Sequence, residues 1–143
     1  MPTLTLIYDS DCGFCRWCLG KVLAWDRRRV VRPVALGTPE ANRLLAEVPA
    51  AEQPKSWHLV DSDGQVRSAG AGFPPLLQML PGGGPLAAAT AKLPGATESA
   101  YRFISGNRSL WGKLVTDGAK RRADKRIAGR LRHKTAATSG RPT

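Results

Sequence analysis

The stretch TLTLIYDSDCGFCRWCLGKVLAW, residues 3–25, decides how the rest of the chain is read. Thr3 to Asp9 are rich in β-formers and end at polar residues, which predicts a strand. From Cys12 to about Arg28 the pattern changes. Phe14, Cys18, Val22 and Trp25 recur at helical spacing, with Cys15, Leu19 and Leu23 beside them. Asp9, Ser10 and Asp11 are all residue types that cap a helix start, and Asp11 is the expected cap. The cations of DRRR (26–29) suit the negative end of the helix dipole. All three cysteines lie in this one segment, three residues apart.

Working outward, VVRPVAL (30–36) reads as a second strand. Pro33 lacks an N–H and so belongs at a sheet edge or a bulge. TPEANRLLAEV (38–48) reads as a helix with Thr38 as N-cap and Pro39 at its first position. KSWHLVDSDGQVRSA (55–69) reads as a hairpin turning at DSDG. PPLLQML (74–80) begins a third helix. PGGGP (81–85) is a break, and it is no phosphate loop, since neither a preceding strand nor a Gly-Lys-Ser/Thr accompanies it. Residues 86–93 and 97–106 are helical, with 107–115 as a continuation of the second. The order predicts an α/β fold: a small mixed four-stranded sheet with helices on both faces. The cysteine helix then starts at the carboxyl end of the first strand, where open α/β sheets form their sites.

The chain has 143 residues and is 42% apolar, enough for one domain with its own core. No apolar run reaches the ~18 residues needed to cross a bilayer. The first residues lack a basic region followed by a long apolar one, so no leader is expected and the expected location is cytoplasmic. In that compartment thiols stay reduced, and paired cysteines point to catalysis or metal binding before structure. Net charge is +11, and residues 117–143 hold nine Lys/Arg against two Asp/Glu. This divides the chain into a folded domain, 1–116, and a basic tail, 117–143, expected to be a frayed helix or disordered. Such a tail attracts anions weakly and without selectivity. It has no interleaved aromatics on which bases could stack.

Cys12 stands where the strand ends and the helix begins. Free N–H groups in the first helical turn favour a thiolate there, and the thiolate is the nucleophile of disulfide exchange. Cys15, almost one turn on and further inside, is placed to resolve a mixed disulfide. Asp9 and Asp11 flank the nucleophile. Either opposes its ionisation, relays a proton, or merely caps the helix. Cys18 lies on the apolar stripe as a small hydrophobe. A metal is the rival use. Zinc would need Cys12, Cys15, Cys18 and a histidine, and a cluster would need a fourth cysteine. His58 is mid-strand, His133 is in the tail, and three ligands along one helix diverge. No cofactor or metal is therefore expected. A metal- or cluster-binding domain and a non-enzymatic interaction module with an anion-binding tail remain the alternatives. Trp17, Trp25, Trp57 and Trp111 are expected in the core or along a groove.

LIYDSDCGFCRWC resembles the opening of the DCC-type thiol-disulfide oxidoreductase-like proteins, marked by Tyr-Asp-x-x-Cys-x-x-Cys directly after the first strand. SWHLVDSDGQVRSAG is similar to that family's hairpin, and AYRFISGNRSLWGKL is similar to its closing tyrosine, asparagine–arginine and glycine segment. The resemblance covers residues 4–114. It implies a thioredoxin-like fold with extra C-terminal helices and redox exchange through Cys12 and Cys15. It also implies a motif position at Asp9 and a protein or small-molecule thiol or disulfide as substrate. Thioredoxin-like proteins also place a cis-proline before the third strand, and Pro54 is the nearest candidate.

Overall fold

A computed structural model describes residues 3–139, without the side chains of Lys55 and of residues 132–139. The elements run β1 (Leu4–Tyr8), α1 (Gly13–Trp25), β2 (Val31–Ala35), α2 (Pro39–Leu44), β3 (His58–Val60) and β4 (Val66–Ser68). They continue with α3 (Phe73–Met79), α4 (Gly84–Lys92), α5 (Pro94–Gly106), α6 (Arg108–Leu114) and α7 (Asp117–Ser139). The sheet order is β2-β1-β3-β4. β1 and β2 are parallel, with Leu4 opposite Val31 and Tyr8 opposite Ala35. β3 runs antiparallel to β1, and β4 antiparallel to β3. This is the thioredoxin-like arrangement, with further helices after α3. Pro33 sits on edge strand β2 opposite Leu6, where a missing N–H costs no pairing on the outer side.

All five residues of β1 are buried, so both sheet faces are covered. On one face Leu4, Leu6 and Tyr8 meet Leu19 and Leu23 of α1, Leu76 of α3, Leu80, and Ile127 of α7. On the other, Ile7, Val34 and Val60 meet Ala41 of α2 and Leu45. Thr38 caps α2 as expected, its Oγ accepting the Ala41 N–H at 3.2 Å. The helix ends at Leu44 instead of Val48. The Gln53 amide there donates to the Leu45 and Val48 carbonyls at 3.2 and 3.0 Å, and Pro49 follows. In the hairpin, Asp61 Oδ1 accepts the N–H groups of Asp63 and Gln65, and Gly64 takes φ +85° to close the turn.

Two further expectations change. Residues 107–115 do not continue the preceding helix. Asn107, at φ −114° and ψ 26°, separates α5 from α6, and its side chain donates to the Phe103 carbonyl at 2.7 Å. Pro54 is not cis, since no cis peptide bond occurs among the described residues. It lies exposed in a short 3-10 turn, Gln53–Lys55, before β3.

The basic tail, 117–143, expected as a frayed helix or disordered, is described as far as Ser139, and residues 140–143 lie outside the described residues. From Asp117 to Ser139 the chain is one helix, laid along α1. Its apolar contact is narrow: Ala123 and Ile127 are buried while Arg121, Arg122, Lys125 and Arg126 stay exposed. Burying Ile127 contributes about 2 kcal/mol. The helices approach closely at Gly20, where an added Cβ would lie 2.6 Å from Ala123 Cβ and 2.8 Å from its Cα. Further along, Arg130 reaches the buried Asp26 just past the end of α1, Nη1 to Oδ2 at 2.7 Å. The Asp26 carboxylate also accepts the Val30 and Val31 N–H groups at 3.1 and 2.8 Å, and Arg130 donates to the Val31 carbonyl at 2.8 Å. Arg29 takes φ +55° in the turn that aims those N–H groups inward. Asp26, not the arginines after it, is the working residue of DRRR.

Candidate active site

The site forms where β1 ends. Asp9 shapes the turn: its Oδ1 accepts the Asp11 N–H at 3.0 Å, and its carbonyl accepts the Cys12 N–H at 3.3 Å. Asp11 is therefore not the cap, and is exposed. Cys12 caps the helix itself. Its extended backbone (φ −99°, ψ 110°) precedes the first helical turn, and its Sγ accepts the Cys15 N–H at 3.3 Å. A sulfur here takes the place that a serine or aspartate oxygen holds in an ordinary cap, so an anion on it receives a hydrogen bond and the positive end of the helix dipole.

The other two thiols are held protonated. Burial, then a hydrogen bond from the Cys15 thiol to Cys12 and the Cys12 charge, push Cys15 up to about 12. Arg108 works against this, its Nη1 lying 3.8 Å from Cys15 Sγ. Burial, with a smaller contribution from Cys12, pushes Cys18 up to about 11. Arg108 belongs to α6 and also faces Asp9, Nη1 to Oδ2 at 3.9 Å. It was missed as a site residue, although it stands in the asparagine–arginine of the closing segment. Tyr101, the tyrosine of that segment, receives the Trp57 N–H at 3.3 Å, and burial raises its phenol above the ordinary value. Trp57, Phe73 and Tyr101 form an aromatic row, with centroids 5.3 and 6.1 Å apart.

Cys12 opens onto a cleft of about 620 Å3, lined also by Asp9, Phe14 and Arg108. Phe14 stacks on Trp17 with centroids 6.0 Å apart, and Lys21 lies 5.5 Å above the Trp17 ring. Trp25 donates to the Pro81 carbonyl at 2.7 Å. The three thiols are free. Among the described residues no three of His, Cys, Asp and Glu converge as a metal-ligand set. His58 is buried on β3, its ring held between Ser68 Oγ at 2.6 Å and the Gln53 carbonyl at 2.9 Å. The His133 side chain lies outside the described residues.

The profile of the DCC1-like thiol-disulfide oxidoreductase family matches residues 6–114. The chain belongs to that family. Its DCC1-like span runs from β1 through α6 and takes in Asp9, all three cysteines, Tyr101 and Arg108. No curated protein and no solved structure gives a significant match. No helix among the described residues is long and apolar enough to cross a membrane.

Proposed function

We propose that this DCC1-like protein exchanges disulfides through Cys12 and Cys15, with Cys12 attacking and Cys15 resolving. One observation carries the reading: Cys12 sits at the head of α1, open to the cleft and hydrogen-bonded by the Cys15 N–H, while burial keeps Cys15 and Cys18 protonated. Cys12, as thiolate, attacks one sulfur of a protein or small-molecule disulfide, and the other sulfur leaves as a thiolate. The Cys15 thiol then attacks the Cys12 sulfur and gives up its proton, the bond from Cys12 to the substrate breaks, and the second substrate half leaves as a thiol while the Cys12–Cys15 disulfide closes. Arg108 favours that step by stabilising charge on Cys15. Asp9 acts through Arg108 and through the turn that presents Cys12. Cys18 packs and takes no part. A reducing compartment such as the cytoplasm suits a resting dithiol. The exposed cations of α7 attract anions there without selectivity.

The test is turnover of a protein disulfide with a dithiol reductant as electron source. Activity falls to background in Cys12→Ser and Cys15→Ser and persists in Cys18→Ala. Full activity in Cys12→Ser sinks the reading.

A further inference from the structure

The cleft beside Cys12 has a charge that the exchange reaction does not need. Two carboxylates, Asp9 and Asp11, line it, against Arg108, Lys113 and Lys120. Asp9 is engaged by Arg108 at 3.9 Å. Among the described residues no carboxylate pairs with Lys113 or Lys120, and with Asp9 on Arg108, Asp11 is the one lining carboxylate left beside two lysines. Lys120 comes from α7 and is half-buried. It lies directly over the residue after the attacking cysteine: a Cβ added at Gly13 would be 3.2 Å from Lys120 Cε and 3.5 Å from Nζ. Gly13, Gly106 and Gly112 line the same cleft without side chains, which leaves the lysines room to meet a ligand. The volume, about 620 Å3, matches sites that take small ligands.

We propose that this cleft selects low-molecular-weight disulfides bearing carboxylates. Lys120 and Lys113 receive the carboxylates while Cys12 meets the sulfur. The inference rests on the exchange reading and adds its substrate class. The Cys12 thiolate bonds one substrate sulfur, the substrate S–S bond breaks, and one half leaves as a thiolate. Cys15 then attacks Cys12, the second half leaves, and the protons lost by the two protein thiols end on the two released thiols. The protein is oxidised by two electrons, and the substrate is reduced by two. α7 thereby becomes part of the site.

The experiment measures the rate at which three small disulfides oxidise the reduced full-length protein: 3,3′-dithiodipropionate, bis(2-hydroxyethyl) disulfide and cystamine. Each rate is divided by that of a short cysteine peptide under the same conditions, which removes intrinsic reactivity. The dicarboxylate is expected to be favoured over the neutral disulfide by about tenfold at low salt, and cystamine to be disfavoured. The preference shrinks at high salt as the Debye length falls to about 3 Å at 1 M. Lys120→Gln, and separately the exposed Lys113→Gln, lower the dicarboxylate-to-neutral ratio measured on the same variant. Equal normalised rates for the three disulfides, or a ratio that neither substitution moves, overturn the substrate class while leaving exchange intact. No reaction at Cys12 with any of the three overturns the exchange reading itself and the substrate class with it.

Discussion

At the scale of single residues, three cysteines one helical turn apart have separate fates because their surroundings differ. Cys12 caps the helix at its open end. Cys15 and Cys18 are pushed up to about 12 and 11 because burial penalises their charged forms. A raised pKa confines thiolate chemistry to alkaline solution. Cys15 and Cys18 are therefore expected to resist iodoacetamide at neutral pH and to gain about tenfold in rate per pH unit up to pH 10. Cys12 is expected to be labelled first from pH 7 to 9, as peptide mapping by mass spectrometry would show. Comparable labelling of Cys15 and Cys12 at pH 7 contradicts this. The pair and its place at a strand–helix junction were legible in the sequence, because strand and helix periods change there. The cap was not. Cysteine is not an ordinary capping residue, and two aspartates and a serine stand just before it. Arg108 was equally hidden, since its approach to Cys15 spans 93 positions of sequence.

At the scale of elements, the strands and first three helices follow from local pattern. Thr38, Pro39, the β-formers of β1 and the DSDG turn all appear where the chemistry of caps, strands and turns puts them. Helix α7 does not. Its charge argued for a loose tail, and among the described side chains Ala123 and Ile127 give it its buried apolar edge. What fixes it is contact with a distant partner, above all the close approach of Gly20 to Ala123. Any side chain at Gly20 meets the Ala123 backbone at 2.8 Å, so the helices must move apart. Gly20→Val is therefore expected to destabilise the fold by about 1–3 kcal/mol, read as a lower urea midpoint. It is also expected to expose α7 to protease between Lys120 and Arg130. An unchanged midpoint and an intact α7 would mean that the two helices do not pack at this position.

At the scale of the molecule, the mixed sheet holds the cysteine turn at its carboxyl edge, and later helices close around it. α6 brings Arg108, and α7 brings Lys120. The far end of α7 is tied back to the sheet by Arg130 on Asp26, which is buried between the end of α1 and the start of β2. Arg130→Met leaves that carboxylate without its cation, at a cost of about 3–5 kcal/mol. Against the roughly 5–15 kcal/mol that stabilises an ordinary domain, that is a large loss. Adding Asp26→Asn to Arg130→Met is expected to recover part of it in urea unfolding, and no loss in Arg130→Met alone contradicts the tie. In the sequence the charges around Asp26 suit a helix dipole, because nothing local signals that an aspartate is sealed inside.

Exchange through Cys12 and Cys15 is tested by oxidising the reduced protein with one equivalent of a small disulfide oxidant and mapping its thiols. A single intramolecular bond between Cys12 and Cys15, with Cys18 still free after denaturation, is the predicted result. A bond that includes Cys18, or three free thiols after treatment, contradicts it.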